Sequence, residues 1–153
     1  MDFWRHKMSS FTGEITVTEL GINWRLWRLE SDLTYEIDSK GSGKTITPPK
    51  GFITDFASIP RILWIFLPPW GKYSRAAIIH DYLCILLYYN KPNQFAINRA
   101  KADRIFLEAM EVSGVTTITR YILYLGVRIG GELGKIFNRS NVIDKYNKEL
   151  ING

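Results

Sequence analysis

The 153-residue sequence predicts an α+β fold: a small N-terminal antiparallel β-sheet followed by a three-helix C-terminal half. Three observations carry this. Short runs of β-formers with partial period-two alternation fill the stretch from Glu14 to Pro48. Prolines and glycines crowd residues 48–71 and forbid a long regular element there. From Tyr73 onward, apolar residues recur at the three-and-four spacing of amphipathic helices.

Taken in order, Glu14–Leu20, Ile22–Glu30 and Leu33–Ser39 read as strands, with Gly21 as a tight turn between the first two and Ser31-Asp32 joining the next. The glycine-rich run Lys40–Lys44 leads into a short strand at Thr45–Pro48. Residues 51–72 form an ordered hydrophobic connector. Helix one is expected from about Tyr73 to Tyr89, with Ser74 as a candidate cap and the break at Lys91-Pro92-Asn93. Helix two is expected from about Gln94 to Ser113. Its core stripe runs through Ala96, Ala100, Asp103, Leu107 and Met110, its wet face carries Asn98, Lys101, Arg104, Glu108 and Glu111, and Gly114 is the stop. Helix three, about Thr117 to Phe137, continues the stripe with Ile122, Gly126, Ile129, Leu133 and Ile136. Glycines 126, 130 and 134 let a neighbouring element approach it closely. The polar residues 138–153 read as a loose or short helical tail. The whole chain is one domain of ordinary globular composition, 46% hydrophobic and 23% charged.

Composition also excludes function classes. The net charge of +5 is spread without a run of five like charges, so nothing marks a nucleic-acid-binding arm. One cysteine, Cys84, rules out an internal disulfide, and its apolar surroundings predict a buried thiol. The first residues contain no apolar core of a signal peptide, which predicts synthesis in the cytoplasm. Residues 121–137 are interrupted by Arg128, Glu132 and Lys135 and fall short of a membrane span.

The informative feature is "RAAIIHDYLCILLYYN", residues 75–90, where His80 and Asp81 stand together in an apolar helix. His80 shares a stripe with Ala76, Leu83 and Leu87, and Asp103 occupies a core position of the next helix. Helices joined by a short break pack antiparallel, so Asp103 is placed to accept a hydrogen bond from His80, fix its tautomer and leave the other nitrogen as a base or ligand. The same pair would also serve as a polar tie between two helices. Asp81 lies about 100° around the helix and would meet a cation or a donor on another element. In the connector, Thr54, Asp55 and Ser58 form a polar cluster that would bring an oxygen ligand or nucleophile toward His80, or would serve as a local turn or cap. Asp81 and Asp55 are the candidate metal ligands, an all-oxygen set suited to calcium; zinc is disfavoured because His6 is the only other histidine and no Cys or His spacing suits it.

The runs "GFITDFASIPRILW", "GKYSRAAIIHDYL", "AKADRIFLEAMEVSGV" and "RYILYLGVRIGG" together resemble a family of tailed-phage and prophage proteins known only as domain of unknown function 1353. The resemblance implies a phage gene product. More locally, His80, Asp81 and Asp103 are similar in order and element to phospholipase A2, where a helical His activates water, the adjacent Asp binds calcium and a second Asp holds the His. The glycine-rich calcium loop and the disulfides of those enzymes have no counterpart in this sequence.

Two functions are therefore expected. The first is a virion-associated structural or accessory protein of the tail, neck or baseplate region, partnered by other virion proteins or by itself. Five Trp, eight Tyr and eight Phe leave aromatics to spare for such contacts. The second is a small hydrolase of envelope material with His80 as base, Asp103 orienting it and Ser58 as a candidate catalytic neighbour.

Overall fold

A computed structural model describes residues 10–20, 26–54, 71–134 and 141–153. Among these residues the fold is α+β, with six short strands and four helices. The strands are β1 (Ser10–Thr12), β2 (Val17–Glu19), β3 (Trp27–Leu29), β4 (Thr34–Glu36), β5 (Thr45–Ile46) and β6 (Ile53–Thr54). The helices are α1 (Ser74–Tyr88), α2 (Arg99–Val112), α3 (Thr117–Gly134) and α4 (Asn141–Asn152).

The strands form two antiparallel three-stranded sheets, β1-β4-β5 and β2-β3-β6, instead of one meander. Ser31-Asp32 therefore joins two sheets and closes no hairpin, because β3 pairs with β2 and β6 while β4 pairs with β1 and β5. The change of sheet follows from burial. Leu29, Leu33 and Tyr35 are all fully buried, so the chain turns its apolar side inward on both sides of the link. Strand β6 starts after a turn in which Pro49 C=O accepts from Phe52 N–H, and Gly51 takes the positive φ (90°) the turn needs. The proposed turn at Gly21 and connector residues 55–70 lie outside the described residues.

Helix α1 is the centre of the helical layer, with ten of its fifteen residues buried, from Ser74 to Ile85. Its N-cap position is Tyr73 and makes no side-chain cap bond; Ser74 stands inside the first turn, where its hydroxyl accepts from Gly71 N–H. The helix stops at Tyr88, one residue short of its expected end and three before Lys91 of the proline break. Asn90, at φ 54°, closes it with Asn90 N–H donating to Leu87 and Lys91 N–H donating to Leu86. Helix α2 begins later than its periodicity suggests, since Asn98, placed on the wet face by spacing, is its N-cap and accepts from Lys101 N–H. Gly114 ends it in the same motif, with Val115 N–H donating to Met110 and φ 75° at the glycine.

Two expectations about helix faces are corrected. The core side of α2 is Ala102, Asp103, Ile105, Phe106, Ala109 and Met110, while Ala100 is exposed. Glu108, assigned to the wet face, accepts from the Tyr35 hydroxyl (2.8 Å) and Asp38 N–H (2.9 Å), which ties α2 to the first sheet. Among the described residues of α3, Leu123 and Val127 are buried, whereas Ile122 and Ile129 of the predicted core stripe are exposed. The spacing was helical, but a helix with apolar residues on two sides does not reveal by period alone which side meets the core.

The tail is an ordered helix rather than a loose end. Asn147 of α4 is fully buried and forms both bonds an adjacent strand would make: Ile53 N–H donates to its Oδ1 (2.9 Å) and its Nδ2 donates to Ile53 C=O (2.8 Å). A side-chain amide thus caps the open edge of β6. Asn147→Ala leaves both backbone groups of Ile53 unpaired, and we expect a loss of roughly 2–4 kcal/mol, read as a lower urea midpoint with an unchanged slope. A midpoint equal to wild type would contradict the tie.

Candidate functional site

The site is built where α1, α2 and α3 meet. Antiparallel packing of α1 and α2 places His80 against Asp103, with 2.7 Å between Nε2 and Oδ1 and both side chains completely buried. The ring lies over Phe106 with centroids 4.9 Å apart, which fixes its plane. Asp103 collects two further donors: Arg99 Nε one turn earlier on α2, 3.0 Å from Oδ1, and Arg128 Nη1 on α3, 3.1 Å from Oδ2. One carboxylate therefore joins all three helices. Cys84, one turn after His80, is buried with its sulfur 3.6 Å from Nε2 and 3.9 Å from Nδ1.

This arrangement sets the protonation of the pair. Burial opposes charge on the His80 ring, but the sulfur of Cys84 and the bond to Asp103 outweigh it and hold the imidazole's pKa up at about 9. Burial alone would raise the Asp103 carboxyl; the hydrogen bond and charge of His80 and the charge of Arg99 instead hold it below the usual carboxylate range. Both shifts favour the ion-paired form, with Nε2–H donating to Asp103. In this orientation the contact of Nδ1 among the described residues is the weak one to sulfur at 3.9 Å.

Asp81 is also buried and turns away from Asp103 toward the second sheet, where the Thr54 hydroxyl donates to its Oδ2 at 2.6 Å. The contact spans α1 and β6, so Asp81 has a donor on another element. Asp55 and Ser58 lie outside the described residues. Among the described residues no group of three or more His, Cys, Asp or Glu side chains is arranged to hold a metal ion. His80, Asp103 and Asp81 are thus in one region, with His80 and Asp81 committed to different partners.

Spacing alone gave four participants no role at the site. Arg99 carried a local signal, standing four residues before Asp103 on one helical face. Cys84 carried the same signal relative to His80, and Thr54 was singled out only for its polar neighbours. Arg128 had none, because its position depends on how α3 packs across α2.

A buried, charge-linked histidine at a three-helix junction beside two small sheets defines an α+β domain of one type. The chain belongs to the family described as Protein of unknown function (DUF1353), whose model matches residues 27–127, the stretch from β3 into α3 that contains His80, Cys84, Arg99 and Asp103 and ends one residue before Arg128. No curated protein and no solved structure matches it.

Removing Asp103 strands a buried charge, so Asp103→Ala is expected to cost about 3–5 kcal/mol in a denaturation experiment. Folding also raises the proton affinity of His80 above its ordinary value of 6.5. Its contribution is complete below that pH and is lost as pH rises through about 9. Urea midpoints of wild type should fall across this window, while those of His80→Gln should stay nearly level. Parallel profiles for the two proteins would contradict the ion pair.

Proposed function

We propose that this chain is a bacteriophage-encoded assembly protein, a structural or accessory component of the virion. The observation that carries the reading is the outer face of α3. Ile118, Ile122, Leu125 and Ile129 recur at steps of four, three and four, and they are 76%, 44%, 56% and 61% exposed, with Tyr121 beside them. This is the spacing of a helix–helix seam, and leaving it in water is unfavourable. The occupant we assign is the same face of a second copy, since a seam of this repeat is self-complementary about a two-fold axis. The phage setting rests on the motif resemblance, and the interior supports a structural role because the His80–Asp103–Arg128 links join helices without opening the ring to solvent.

A second reading, a small hydrolase with His80 as general base, is favoured by one observation. Asp103 holds Nε2, so Nδ1, which among the described residues has the sulfur contact at 3.9 Å, is the nitrogen that would act as base once its proton is lost. The complete burial of the ring weighs against it, because substrate would have to displace packed side chains to reach Nδ1.

Sedimentation of wild type and Leu125→Glu separates the readings. The assembly reading expects a concentration-dependent dimer or higher species for wild type and a folded monomer for Leu125→Glu, with no turnover of lipid or cell-wall extracts by either. A wild type that stays monomeric at high micromolar concentration and hydrolyses an extract, with activity abolished in folded His80→Ala, would overturn it.

A further inference from the structure

The junction holds more positive charge than its structural role requires. His80, Arg99 and Arg128 all donate to the one carboxylate of Asp103, the guanidiniums from different helices, and the charge of Asp81 also acts on Arg99, so three cationic groups face two carboxylates. Arg99 and Arg128 form no other ion pair among the described residues. Each gives Asp103 a single N–H, Arg99 through Nε and Arg128 through Nη1, although a guanidinium carries five donors. Their side chains are 36% and 44% exposed while the carboxylate between them is sealed, so each arginine reaches solvent from a buried anchor.

Such anchoring is what distinguishes a binding group from a surface charge. A free arginine must lose side-chain freedom to grip a ligand, whereas these two are already held by charge-assisted bonds to one rigid carboxylate. Lys101, two residues on, stands about 200° around α2 from Arg99 and so on another face, and no acidic residue lies in the first turn of α2. We propose that Arg99 and Arg128, held by Asp103, form a binding site for a phosphate group. The forked donors match an oxyanion with several acceptor oxygens, and the cations at the junction outnumber its carboxylates, which favours an anionic ligand. Arg128 stands three residues after Leu125, so the site borders the α3 seam, and it shares Asp103 with His80.

The test uses the full chain and two probes that separate free phosphate from a lipid headgroup: inorganic phosphate, titrated by calorimetry against chloride of equal ionic strength, and sedimenting vesicles of phosphatidylglycerol. We expect saturable binding of at least one probe, weakened about tenfold or more in Arg128→Gln and unchanged in Lys101→Gln. Arg128→Lys, which keeps the charge and loses the fork, should retain the fold and also bind more weakly; it decides the matter if Arg128→Gln does not fold. Failure of folded wild type to bind either probe, a response that chloride reproduces, or equal binding by wild type and Arg128→Lys would overturn the site.

Discussion

The carboxylate of Asp103 is the constraint around which the helical layer is arranged. A buried carboxylate is costly unless its lone pairs are filled, and this one is filled from three helices: by His80 of α1, Arg99 of α2 itself and Arg128 of α3. Hydrophobic packing alone allows helices to slide and rotate at modest cost. A fixed acceptor surrounded by three directed donors does not, so the carboxylate sets the register of α1 against α2 and of α3 against α2. The apolar residues around it, Phe106 on the ring and Leu123 and Val127 on α3, then supply area without having to specify position.

The same strategy joins the sheets to the helices. Glu108 receives the Tyr35 hydroxyl and the Asp38 amide from the first sheet, Asp81 receives Thr54 from the second, and Asn147 completes the edge of β6. The strands are only two or three residues long, too short to be stable as isolated sheets. Directed polar contacts to α1, α2 and α4 therefore hold them, and this explains why an element as polar as α4 is part of the packed structure.

What could be read from the sequence follows the range of the interaction. The pairing of His80 with Asp103 was visible because each stands at a core position of a strongly periodic helix and the link between the helices is short. Gly114 as a stop was visible because its motif is local. The division of the strands into two sheets was not, since alternation reports which residues face inward but not which strand lies alongside. Nor was the outward turn of Ile122 and Ile129: α3 has apolar residues on two sides, and only packing with α2 decides that Leu123 and Val127 are the inner ones. Arg128 read as a charge interrupting an apolar helix, and its partner lies 25 residues away.

A junction organised by one ion pair must show energetic coupling between its members, beyond the loss caused by altering either. The direct measurement is a double-mutant cycle in urea with His80→Leu, Asp103→Leu and the combination. The account predicts that each single change is strongly destabilising and that the double variant is more stable than their sum implies, with a coupling above about 1 kcal/mol. Losses that add within about 0.5 kcal/mol would contradict it, because the two groups would then be neighbours in the core and nothing more.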